Sequence, residues 1–153
     1  MVKKLLYYVE KTKCKTYFRI TGQFDTKTII NLLGIKPEES WDIGDVRVGG
    51  KSHYEFASCK FNTCAEYDFV VSNQMEKTLQ PLFDKVEVLK QIKNNYDVSY
   101  GLIVVPYVRY DESSPCLAPS KKVMQFCIDT DTEIDIDLYV GCPDDEEDGI
   151  PII

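Results

Sequence analysis

Tyr17-Phe18-Arg19-Ile20-Thr21-Gly22-Gln23-Phe24-Asp25, running on through Leu32-Leu33-Gly34-Ile35-Lys36-Pro37 to Ser40-Trp41, reads as one complete strand–helix–stop unit. Phe18 and Ile20 alternate with Tyr17, Arg19 and Thr21, the two-residue period of a strand with one buried face. Gly22 ends the strand. Asp25 is placed to cap a helix, because its carboxylate can accept from the free amides of the first turn. Ile29, Ile30 and Leu33 then share one helical face. Gly34 suits the left-handed position just past a helix, Ile35 supplies the apolar contact that accompanies such a cap, and Pro37 bars continuation.

Working outward, Asp45-Val46-Arg47-Val48, Gly49-Gly50 and His53 to Cys59 predict a hairpin with a glycine turn. Lys60 to Val71 is ambiguous, and Tyr67–Val71 is either a short strand or the lead into a helix. Lys4–Val9 is a further candidate strand. Asn73-x-x-Glu76 has the spacing of a capping box, with Met75, Leu79, Leu82 and Phe83 on one face behind it. Pro81 breaks or kinks that helix, and Asp84-x-x-Glu87 signals a second start. Leu102-Ile103-Val104-Val105 is apolar on both faces, so Tyr100–Tyr110 is expected as a central strand covered above and below at that point, with Pro106 forcing a bulge or an exposed edge near its end. Ser120–Ile128 predicts a short helix with Val123, Phe126 and Cys127 inward. Glu133–Val140 alternates most cleanly of all and predicts the last strand, Ile134, Ile136 and Leu138 facing the core. The whole is an α+β chain: a single layered domain over residues 1–142, a mainly antiparallel or mixed sheet of about five strands with helices packed against it. Residues 143–153 read as an acidic, solvated tail.

Composition sets bounds on function. The 153 residues are 44% hydrophobic and 28% charged, with ten Tyr and seven Phe, which is globular and not disordered. No apolar run spans a bilayer and no signal-peptide pattern is present, so a cytoplasmic location with free thiols is expected, and no membrane partner. The six cysteines offer only one close pair, Cys59-x4-Cys64, and His53 is the sole histidine, which argues against zinc. Net charge is −7, but ten acidic residues and no basic ones lie between Asp129 and Asp148, while Lys3, Lys4, Lys11, Lys13, Lys15 and Arg19 crowd the beginning. Nothing resembles a phosphate-tracking surface, so nucleic acid is not the expected partner.

Together these segments resemble a bacterial family catalogued only as domain of unknown function 4279. The resemblance is carried by Phe18-Arg19-Ile20-Thr21-Gly22, Phe24-Asp25, Leu33-Gly34-Ile35-Lys36-Pro37, Ser40-Trp41 with Gly44-Asp45, and Ile134-Asp135-Ile136-Asp137-Leu138-Tyr139. One departure is that family members often carry a tryptophan where this chain has His53-Tyr54-Glu55-Phe56. The resemblance implies a small cytosolic α+β protein and no assigned activity; some members are associated with toxin-neutralising genes, which names no mechanism.

No catalytic set emerges. His53 has no evident nucleophile or carboxylate partner, and Gly49-Gly50-Lys51-Ser52 lacks the spacing and the following helix of a phosphate loop. No cofactor is called for. Binding candidates are Trp41 with Asp45 of the adjoining turn, and Asp135, Asp137 and Tyr139, which share one face of the last strand. Two readings of that acidic face stay open. It is either a docking patch for a basic protein, in an immunity-type neutraliser for example, or a small-molecule or divalent-metal site or the active site of an enzyme using that face. The structural alternative is a solvated strand face, its carboxylates paired with the basic first strand beside it. Trp41 likewise is either an interface anchor or a lid on the core.

Overall fold

The computed structural model describes residues 9–141. The elements in chain order are β1 (Lys13–Gln23), α1 (Thr26–Leu33), β2 (Glu39–Trp41), β3 (Ala57–Cys64), α2 (Val71–Leu79), a 3-10 turn (Gln80–Leu82), α3 (Val86–Asn95), β4 (Asp97–Arg109), α4 (Lys121–Thr130), β5 (Thr132–Ile136) and β6 (Tyr139–Gly141). The strands form one mixed sheet in the order β2-β3-β1-β4-β5, with β6 continuing along β4 beyond β5. β5 and β6 run parallel to β4, and every other pairing is antiparallel. This is an α+β layered domain. Among the described residues no helix is long and apolar enough to cross a membrane. The expected tail, residues 143–153, lies outside the described residues, as does the candidate strand Lys4–Val9 apart from Val9.

Alternation dictates which side of the sheet is core. Cys14, Thr16, Phe18 and Ile20 of β1 are buried, as are Tyr100, Leu102 and Val104 of β4, and the helices supply Ile29, Leu33, Met75, Leu79, Leu89, Ile92, Val123 and Phe126 against them. Phe18 meets Phe61, Tyr100 and Phe126 with ring centroids 5.7–6.5 Å apart. All four α-helices of the described residues therefore lie on one face, the face of the even-numbered β1 residues.

The opening unit forms as its sequence predicts. The Asp25 carboxylate accepts from Thr28 N at 3.1 Å, and Gly34 ends α1 at φ 72° with its amide on the Ile30 carbonyl. The break at Pro81 is also present, as the 3-10 turn between α2 and α3.

Three expectations are corrected, and at Pro106 one of two alternatives is met. The hairpin reduces to a single bridge, Val46 to His53, because its second arm starts only at Ala57 and pairs instead with β1 and with the short β2. Asn73 does not open a helix. α2 begins two residues earlier, and Asp68 serves its entrance by accepting from Val70 N (2.9 Å) and from the Asn73 amide (2.8 Å). At Pro106 the expected bulge is absent, since the register with β1 runs unbroken from Lys13↔Tyr107 to Gln23↔Asp97, while the expected exposed edge is present: no strand pairs with the other side of β4 between Val104 and Tyr107. The Val104 carbonyl accepts from Asp137 and the Tyr110 amide donates to Gly141, so even-numbered β4 residues address β5 and β6. Proline's missing N–H thus falls on that side, and the partner strand splits there into β5 and β6. Finally, because of that split, Ile136 and Leu138 are not core: they are 44% and 53% exposed, and only Ile134 packs against the helices.

Candidate functional site

The second face of the sheet carries no helix among the described residues, and the register aligns its side chains in rows. Arg19 of β1, Gly101 of β4 and Glu133 of β5 form one row; Tyr17, Ile103 and Asp135 form the next. Lys15 pairs with Val105 at the level of Asp137, and Lys13 with Tyr107 and Tyr139. Side chains in register point to the same side of a sheet. The face is therefore basic along β1, apolar in the middle of β4, where Ile103 and Val105 are buried, and acidic along β5.

Aromatic rings punctuate it. Tyr107 stacks on Tyr139 at 5.2 Å, and the Lys13 ammonium sits 5.4 Å from the Tyr107 ring centroid. The Lys60 ammonium lies 4.7 Å from the ring of Tyr17 and 3.9 Å from Glu39. The Tyr139 hydroxyl donates to the Asp137 carboxylate at 2.9 Å. Burial raises the Tyr17 phenol pKa above its ordinary value; Arg19 opposes the shift, while Asp137 and Asp135 add to it. Tyr17 is thus the residue through which the basic and acidic stripes feel each other.

The predicted residues separate into two groups. Asp135, Asp137 and Tyr139 come together on this face as expected, with both aspartates exposed. Trp41 lies on the same face by register (Trp41↔Ser58, Ser58↔Thr21), but β2 is the opposite edge, roughly 19 Å away at about 4.8 Å per strand. There its ring stacks on Tyr54 at 4.3 Å and its indole N–H donates to the Phe56 carbonyl at 3.0 Å. Asp45 closes the neighbouring turn, accepting from Asp42 N at 2.8 Å. Asp42 in turn accepts from Thr26 N and Oγ1, tying this loop to the start of α1. His53 donates from Nδ1 to the Gly44 carbonyl at 2.7 Å, inside the same loop.

The expected pairing of the acidic strand with a basic neighbour is also corrected. β4 stands between β1 and β5, so the two stripes are two strand spacings apart. No hydrogen bond or ion pair joins the side chains of Lys15, Arg19, Glu133 or Asp135 to another described residue. Sequence reasoning missed the basic half of the site. Its signal was available in the period-two run Lys13, Lys15, Tyr17, Arg19, and what it lacked was the strand order.

Among the described residues no three His, Cys, Asp or Glu side chains gather as a metal site. A notch of about 210 Å³ opens where β3 leaves β1, lined by Lys13, Cys14, Lys15, Ala65 and Tyr107. It is smaller than the roughly 300–1,000 Å³ typical of small-molecule sites.

No curated protein and no solved structure matches this chain. The family model described as "Domain of unknown function (DUF4279)" matches residues 12–141, from just before β1 to the end of β6. The matched unit is therefore the whole sheet with its helix layer, and the chain belongs to the DUF4279 family.

Proposed function

We propose that this domain works by recognising another protein through the open face of its sheet, and not by catalysis. The observation that carries the reading is the set of charges without a side-chain hydrogen bond or ion pair among the described residues, Lys15 and Arg19 on one side of β4, Glu133 and Asp135 on the other. Charges held on a rigid sheet at fixed spacing are suited to steering and registering a complementary surface. A basic partner segment seats on the acidic edge, with the tyrosines supplying contact area at low entropic cost. Trp41 is a rim contact at the far edge. An immunity-type role, neutralising a basic toxin in the cytosol, is the most concrete form of this reading. The five described cysteines, all unpaired thiols, suit a reducing compartment.

The test is affinity capture from native lysate with the wild-type chain, with Asp135→Lys, and with Lys27→Glu on the helix side as control. A stoichiometric protein should be recovered at low salt by wild type and control, and lost with Asp135→Lys or at high salt. Equal recovery by all three, or none by any, ends the proposal.

A further inference from the structure

We infer that the open face pairs with a second copy of this chain, face to face, about a two-fold axis running along β4. This rests on the reading of that face as a recognition surface and gives it another occupant, a second copy in place of a basic protein. A two-fold axis lying between two facing sheets, parallel to β4, preserves position along the strands and exchanges the two sides of β4. β1 of one copy then lies over β5 of the other, and the reverse holds at the same time, as an isologous interface requires.

The rows decide whether that exchange is favourable, and each of the three charged rows is. Arg19 of one copy meets Glu133 of the other, because both share the row of Gly101. Tyr17 meets Asp135 across the row of Ile103, hydroxyl to carboxylate. Lys15 meets Asp137 at the level of Val105. Ile103 and Val105 lie on the axis, each facing its own counterpart. The opposite assignment, an axis across the strands, would scramble these rows. Facing sheets sit about 10 Å apart with strands within roughly 30° of parallel, a gap that Arg, Lys and Tyr side chains bridge. Lys15, Arg19, Glu133 and Asp135, which have no side-chain hydrogen bond or ion pair among the described residues, each meet a complementary group of the other copy.

The contact is small. Three strands at about 4.8 Å spacing over about seven residues at roughly 3.3 Å present roughly 300 Å² of projected face per copy. A standard interface buries ~800 Å² per partner. The apolar centre is already buried within each chain. Association is therefore reversible, dominated by charge and sensitive to salt.

Analytical ultracentrifugation across a concentration series tests it with the full chain. Wild type should show a monomer–dimer equilibrium that shifts to monomer at high salt. Arg19→Glu and Glu133→Arg should each weaken self-association by about ten-fold or more. Mixed together, the two single variants should associate again. The carboxylate introduced at position 19 of one then faces the guanidinium introduced at position 133 of the other, and the second contact keeps its native pair. The double variant Arg19→Glu/Glu133→Arg should dimerise alone, since the charges are exchanged at both contacts. Circular dichroism melts confirm that each variant folds. Dimers that survive both single substitutions, or single variants that fail to associate on mixing, overturn this pairing. A wild type that stays monomeric while its lysate capture depends on Asp135 also overturns it, leaving the open face as a recognition surface for a different protein. Monomer with no such capture removes both.

Discussion

Gly22 lies at φ 152°, and a Cβ there would stand 2.0 Å from the Asp97 carbonyl oxygen across the β1–β4 ladder. Backbone cannot yield as a side-chain tip can, so Gly22→Ala is expected to cost about 3 kcal/mol or more in a urea denaturation series. Gly34 gives the contrast: at φ 72° its added Cβ would meet only the Lys85 ammonium at 3.9 Å. Gly34→Ala should lose only the left-handed preference, about 1 kcal/mol. Equal losses at both positions would contradict this account. The buried thiols make a second prediction. Burial pushes Cys14, Cys59 and Cys127 up to about 11 from an ordinary 9.0, Cys64 adding to the effect at Cys14. Between those values the folded state holds protons that the unfolded chain has released. The associated stability, roughly 2–3 kcal/mol per thiol at most, is complete below pH 9 and is lost as pH rises through 11. The urea midpoint should fall across that window, and less steeply in Cys59→Ala. Alkylation of the native protein followed by peptide mapping should mark the exposed Cys116 well before these three.

Among the elements, α1 and α2 show two ways of satisfying a helix start. α1 carries its own cap, and Asp25→Ala should cost about 1 kcal/mol, read from the same denaturation midpoint. α2 has Val70 at the cap position with no side-chain bond, and relies on Asp68 and on packing. Its Gln74 is fully buried and donates to the Cys14 and Cys64 carbonyls at 2.9 and 3.2 Å, covering the place where β1 and β3 diverge. Gln74→Leu would leave one buried and one half-buried carbonyl without this donor while also removing the partnerless Oε1, a net loss of about 1–3 kcal/mol. A neutral outcome would mean that water reaches them or that losing the partnerless Oε1 offsets them. The capping-box spacing at Asn73 misled because local hydrogen-bonding patterns compete with burial. Val71, Met75 and Leu79 gain more by turning inward from an earlier start than Asn73 gains as a cap.

At the scale of the whole molecule, the sheet order converts two ordinary amphipathic strands into a patterned surface. Had β1 lain beside β5, Arg19 and Glu133 would have paired within the chain and left a quiet, solvated face. With β4 between them, the stripes remain apart, and self-association or capture of a complementary protein becomes the natural outlet. Because the attraction is between exposed charges, both should fade over the salt range in which the Debye length contracts from about 10 Å to 3 Å. A light-scattering titration with salt reads this directly.

Period-two and period-3.6 patterns, the Asp25 and Gly34 caps and the Pro81 break are local physics, settled within a few residues of backbone, and they are why the α+β class, α1, α4 and the central place of β4 were legible from the chain alone. So was the shared face of Asp135, Asp137 and Tyr139. Strand order, the separation of Trp41 on β2 and Asp45 in the adjoining turn from the acidic edge, the exposure of Ile136 and Leu138, and the basic half of the face were not. Each depends on contacts between residues distant in the chain, where loop closure, hydrogen-bond parity at Pro106 and helix coverage compete, and only the packed tertiary structure resolves that competition.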